Sequence, residues 1–124
     1  MPDNTMSVLL VDDDPDACHI FELVMQHHRL PYEIAEDAES ALEMLKKHMP
    51  DIVVLDLFLP GMDGYQALDR IRRMSSAPEC KIVATTAYYT QETQNEVITR
   101  GFNGYLPKPF DPSTFVNYLH TVLG

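Results

Sequence analysis

Two patterns of apolar positions alternate along this chain. Short unbroken apolar runs are each followed by a longer stretch in which apolar residues recur every three or four positions. The first run, Ser7 to Val11, reads as a buried strand. Asp14 then offers a helix cap with Pro15 at the first helical position, and Ala17, Ile20, Phe21 and Val24 share one helical face. Tyr32 to Ala35, entered by Pro31, is a weaker strand. Ala38, Ala41, Leu42 and Leu45 mark a second helix, closed by Lys46, Lys47 and His48, basic residues that suit the negative end of its dipole. After Pro50, DIVVLD (Asp51 to Asp56) is the clearest buried strand, and the turn-rich PGMDG follows. Ala67, Leu68, Ile71 and Met74 give a third helical face, with Arg72 and Arg73 in its last turn, and SSAP after it reads as a surface turn. Lys81 to Thr85 is a fourth strand. Gln91 to Arg100 is helical by composition, but only Val97 and Ile98 are strongly apolar, so weak packing is expected. Gly101 stands where a helix C-terminal glycine belongs. Tyr105 and Leu106 fall in a short fifth strand, and Phe115, Tyr118, Leu119 and Val122 define the last helix.

Strand and helix thus alternate five times. The first and third strands are apolar on both faces, as a parallel sheet covered by helices requires. The predicted fold is α/β: a doubly wound, five-stranded parallel sheet of order 2-1-3-4-5, flavodoxin-like. Residues 1–6 read as an N-terminal tail and 7–124 as one domain, a length that suits a single core. In this order the first and third strands are neighbours at the switch point, and ligands bind at the carboxyl ends of the strands.

Composition narrows the function. The chain carries 19 acidic against 9 basic side chains, a formal net charge of −10. Such a surface repels phosphate backbones and anionic lipid, so nucleic-acid and membrane binding by this domain are disfavoured. No apolar run is long enough to span a membrane, and MPDNTM lacks the basic and apolar character of a leader. With Cys18 and Cys80 in no C-x-x-C spacing, a reducing, cytoplasmic setting is expected. His19, His27, His28, His48 and His120 show no metal-ligand spacing with cysteine.

The polar residues that end the strands carry the chemistry. The first strand runs into Asp12 and Asp13, the third ends in Asp56, the fourth in Thr85 and Thr86, and the fifth delivers Lys108. Parallel strands place all of them on one edge. At about 4 Å and an effective dielectric near 20, each carboxylate pair costs on the order of 4 kcal/mol. Protonation, a cation or both must offset that. Hard oxygen donors favour Mg2+ or a similar ion, which takes one or two protein carboxylates and accepts a phosphoryl oxygen. Lys108 adds a cation of the kind that holds phosphate. Together these groups fit phosphoryl chemistry on an aspartate.

In the segments VDDDP, VVLDLFLPGMDG, ATTA and GYLPKPF, in this order and spacing, the chain resembles a response-regulator receiver domain, the phosphoacceptor module of two-component signalling. The resemblance runs from Ser7 to the final helix. It implies that Asp56 is phosphorylated by a sensor histidine kinase or a phosphotransfer protein. It implies that Asp12, Asp13 and Asp56 hold Mg2+, Asp13 more directly than Asp12, with the Phe58 carbonyl as a further ligand. Thr86 would hydrogen-bond the phosphoryl group, Lys108 would contact its oxygens, and Tyr105 would be the aromatic switch that turns inward when Thr86 moves. The face around the fourth helix, fifth strand and fifth helix would report the change and offer a homodimer surface. Lys108-Pro109 is usually cis in the family. Pro107 departs from the family pattern and removes a backbone donor beside Lys108. Phe58 and Tyr88 occupy positions that tune the access of water to the acyl phosphate. Both are bulky, so slow self-dephosphorylation is expected.

Three other functions compete. An aspartyl phosphatase needs a second acid two residues after its nucleophile, where Phe58 stands. A nucleotide or flavin binder on the same fold needs a glycine-rich phosphate loop, and none follows the first strand. A receiver-like domain acting by protein contact alone would not need the full acid, threonine and lysine set. Thr85 reads as structural, Asp14 as a cap and Asp63 as a turn residue.

Overall fold

The structure, a computed structural model, describes residues 6–74, 80–88 and 90–124. Five strands alternate with five helices among them: β1 (Val8–Val11), α1 (Pro15–His27), β2 (Tyr32–Ala35), α2 (Ala38–Lys47), β3 (Ile52–Asp56), α3 (Gly64–Arg72), β4 (Lys81–Thr86), α4 (Gln91–Arg100), β5 (Gly104–Pro107) and α5 (Phe115–Leu123). All pairings are parallel and the sheet order is β2-β1-β3-β4-β5, as the alternation predicts. SSAP lies outside the described residues.

Each face of the sheet has its own apolar layer. Leu9, Val11, Val53, Leu55, Ile82 and Ala84 pack against α2, α3 and α4. Val8, Leu10, Ile52, Val54 and Val83 face α1 and α5, where Phe21 and Phe115 meet edge-on at 5.9 Å. Every residue of β1 and β3 is buried, because these strands lie inside the sheet with helices on both faces. The edge strand β2 is only partly buried. Each buried Val, Leu or Ile contributes roughly 1.5–3 kcal/mol, so the central strands form the most firmly held part of the molecule. Met6 is also buried, against the α1–α5 layer.

Local signals set the boundaries. Asp14 accepts the Asp16 N–H at 3.1 Å and Pro15 opens α1. Asp37 and Asp63 cap α2 and α3, and Asp63 forms a reciprocal capping box with Gln66. Gly101 ends α4 at φ 110°, a left-handed conformation that favours glycine. Three strand boundaries differ from the sequence pattern. Ser7 and Asp51 precede their strands, because they bind each other across the strand ends, Ser7 N–H donating to Asp51 Oδ2 at 2.9 Å. At its far end β4 runs one residue further, through Thr86, which pairs with Pro107. In α4 only Val97 is buried, and Ile98 is 55% exposed. Among the described residues no helix is long and apolar enough to cross a membrane.

Candidate functional site

The carboxyl edge of the sheet gathers the residues the sequence scatters. β1 ends in Asp12, fully buried, and then Asp13, exposed at the rim. β3 ends in Asp56, 4% exposed. Oxygens of Asp12, Asp13 and Asp56 lie within 4.8 Å of one another. Lys108 arrives from beyond β5 and its ammonium sits between the two buried acids. Nζ is 3.0 Å from Asp12 Oδ1, 2.8 Å from Asp12 Oδ2 and 3.1 Å from Asp56 Oδ2. Asp14 Oδ2, at 4.0 Å, adds a more distant negative charge.

The acids are held by the chain as well. The Asp14 N–H donates to Asp12 Oδ1 at 2.9 Å and the Phe58 N–H to Asp56 Oδ1 at 3.0 Å. Gly64 closes the loop after β3, its N–H donating to the Leu57 carbonyl at 3.0 Å. A Cβ on Gly64 would stand 2.6 Å from the Asp56 carbonyl oxygen. The final glycine of PGMDG is therefore what lets α3 begin directly behind the site. Lys108 is fixed by its own N–H donating to the Thr86 carbonyl at 3.0 Å, and the Lys108-Pro109 peptide is cis.

Burial dominates the electrostatics. It pushes the Asp12 carboxyl up to about 6, against the Lys108 hydrogen bond and the Asp14 N–H, which pull it down, and with the Asp56 charge adding to the rise. Burial also works against the Lys108 ammonium, but the hydrogen bonds and charges of Asp12 and Asp56 outweigh it and hold Lys108 above its ordinary value. Cys18, whose Sγ donates to the Asp12 carbonyl at 3.4 Å, is pushed up to about 11 by burial and the surrounding acids, and so stays protonated.

The expected residues arrive in different conditions. Asp12, Asp13, Asp56 and Lys108 come together. Thr86 is buried at the same edge, but its hydroxyl accepts the Tyr88 N–H at 3.0 Å, and among the described residues no hydrogen bond joins it to Asp56. Tyr105 is buried, 8% exposed, against the α2–α4 layer. Its ring is thus already inward while the Thr86 hydroxyl is turned to its own loop. Phe58 and Tyr88, 59% and 70% exposed, meet edge-on at 5.3 Å over the rim. Sequence reasoning singled out both rings but not their contact. It also missed the Cys18 thiol under Asp12, for which a cysteine six residues on in a capped helix is the only signal.

The donor set fits a hard divalent cation. It offers three carboxylates, one of them at the exposed rim, with no thiolate or imidazole among them.

The comparisons with known proteins agree with this geometry. The family description "Response regulator receiver domain" matches residues 8–120. The chemotaxis protein CheY of Halobacterium salinarum is 29% identical over 119 residues, covering 94% of this chain and 95% of that protein. A putative response regulator from Chloroflexus aurantiacus superposes with a TM-score of 0.88 at 31% identity, over 96% of this chain and 98% of that one. The receiver domain of the sensor histidine kinase PA1611 from Pseudomonas aeruginosa superposes with a TM-score of 0.86 at 27% identity, over 97% and 98%. That structure has a magnesium ion coordinated in its active-site cleft. Receiver domains are phosphoacceptor signalling domains of two-component systems, and they work with histidine kinases or phosphotransfer proteins. The fold, the acidic edge and these matches make the chain a member of the response regulator receiver domain family.

Proposed function

We propose that Asp56 accepts a phosphoryl group from a phosphohistidine on a partner histidine kinase or phosphotransfer protein. One observation carries the reading: a lysine ammonium held between two buried carboxylates, with a third at the exposed rim. An Asp56 oxygen attacks phosphorus, the P–O bond forms, the P–N bond breaks, and the imidazole nitrogen leaves with the electron pair. The chain contributes position and charge. Lys108 is already at Asp56 and need shift little to contact phosphoryl oxygens. Asp12, Asp13, Asp56 and the Phe58 carbonyl are the proposed Mg2+ ligands. When bound, the ion neutralises the carboxylates and the phosphoryl oxygens that approach them. Thr86 is the proposed hydrogen-bond donor to the acyl phosphate: its hydroxyl oxygen accepts the Tyr88 N–H, and the same hydroxyl can donate its own proton to a phosphoryl oxygen. Residues 7–124 form the receiver unit, acting in the cytoplasm.

The proposed output is a shift of the α4-β5-α5 face, with homodimerisation there as one use of it. A phosphoryl group at Asp56 draws Thr86 and Lys108 and biases a two-state equilibrium in the elements that carry them. Acetyl phosphate or beryllofluoride with Mg2+ tests both halves. Wild type should be modified and change its self-association, and Asp56→Asn should do neither. Equal responses from the two proteins would refute the assignment.

A further inference from the structure

Thr85 is the residue of β4 that this reading leaves without a task, and it is fully buried. Its Oγ1 has no hydrogen-bond partner among the described residues. Asp56, Thr86 and Lys108 at this edge all have hydrogen-bond partners, and Asp12 Oδ2, the other buried oxygen there without a hydrogen bond, has the Lys108 ammonium at 2.8 Å as its ion-pair partner. Valine has the same shape and would fill the place with no unpaired group. A hydroxyl that goes unused in one state points to a second state that uses it.

The register shows what that hydroxyl lies beside. Thr85 is aligned with Asp56 on one side and Leu106 on the other. Residues in parallel register project from the same face, about one strand spacing of 4.8 Å apart. Two positions earlier, Val54 and Val83 both lie in the α1–α5 layer, so Asp56 and Thr85 share that face. Leu10 places Asp12 on it by the same alternation. Thr86 follows Ala84 to the opposite face. Lys108 starts beyond β5, yet its ammonium reaches Asp56 on β3 and Asp12 on β1. β4 lies between, so the lysine side chain crosses the end of β4 on the face where Thr85 stands.

Resting on the phosphoacceptor reading above, we propose that Thr85 is a positioning residue for Lys108. Its hydroxyl accepts a hydrogen bond from the ammonium when Asp12 turns to a divalent cation. In this structure Lys108 spends its closest contacts on Asp12, at 2.8 and 3.0 Å. A cation at Asp12 competes for those oxygens and frees donors on an ammonium that has three. Thr85 supplies a neutral acceptor on the same face, so the lysine stays over Asp56 without drawing on the carboxylates. The hydroxyl proton remains available to donate to an Asp56 or phosphoryl oxygen.

Thr85→Val, which keeps the shape, and Thr85→Ser, which keeps the hydroxyl, separate this role from packing. The readouts are melting temperature, beryllofluoride affinity in saturating Mg2+, and the lysine ammonium signal of nitrogen-15-labelled protein, assigned with Lys108→Arg. Without ligands Thr85→Val should melt at or above wild type. With Mg2+ its beryllofluoride affinity should fall about tenfold, roughly one hydrogen bond to a charged group. Thr85→Ser should recover most of that loss. Mg2+ alone should move the Lys108 signal differently in wild type and Thr85→Val. Equal affinities and identical Lys108 signals in those two proteins would overturn the proposal while leaving the phosphoacceptor reading intact. Failure of wild type to take beryllofluoride would overturn both.

Discussion

Asp12 and Lys108 occupy a site that a cation and a phosphoryl group would have to share, and the balance between them depends on pH. The Asp12 carboxyl is raised from its ordinary 3.8 to about 6, chiefly by burial. The folded chain therefore binds that proton more tightly than the unfolded chain. Its contribution to stability is fully present below about pH 4 and is lost as pH rises through about 6. A divalent ion must displace the same proton, so the rise in melting temperature on adding Mg2+ should be large at pH 7.5 and small at pH 5. Melts at pH 5, 6 and 7.5 check this, and equal Mg2+ shifts at all three would refute it. Beside these groups, the Phe58–Tyr88 pair leans over the rim with its rings 5.3 Å apart. Tyr88→Ala opens that cover to water. The lifetime of the phosphorylated protein should shorten several-fold, as followed by loss of label from purified phosphoprotein, whereas an unchanged lifetime would leave the pair without a role in protection.

The fourth helix is held differently from the other four. It buries Val97 alone, where each of the others buries at least three residues. A second restraint comes from α3. The Tyr65 hydroxyl donates to Glu96 Oε1 at 3.0 Å, and the Arg100 guanidinium stacks over the Tyr65 ring at 4.3 Å. Tyr65 follows Gly64, which packs on the Asp56 backbone, so the strut on α4 begins directly behind the acidic edge. Tyr65→Ala should raise amide exchange across Gln91 to Arg100 several-fold and leave β1 and β3 unchanged. Uniform exchange along the chain would show that α4 does not depend on this contact. Gly64→Ala tests the other end of the strut. Its Cβ meets backbone that cannot step aside, and a loss of about 1–3 kcal/mol in a denaturant melt is expected.

Seen whole, the molecule shows which features a sequence declares by itself. Val8–Val11 and Ile52–Asp56 are apolar at every position but the last Asp56, and that alone marks two central strands flanked by helices. Strand ends then fix which acids share an edge, so Asp12, Asp13, Asp56 and Lys108 could be grouped before any coordinates. Side-chain direction was not available in this way. Whether Thr86 turns to Asp56 or to the Tyr88 N–H, and whether the Tyr105 ring lies in or out, depends on packing between segments far apart in sequence. Thr85 shows the same limit. As one of two adjacent threonines it reads as structural, and only the register with Asp56 and the path of Lys108 over β4 bring its hydroxyl to the site.

Where phosphorus ends up decides whether Asp56 is the phosphoacceptor. Wild-type protein is incubated with Mg2+ and acetyl phosphate, the acyl phosphate is trapped by borohydride reduction, and the modified position is mapped by peptide mass spectrometry. Reduction at position 56 alone, abolished by omitting Mg2+, is the predicted result. An unmodified Asp56, or modification spread over other carboxylates with no dependence on the ion, would contradict it.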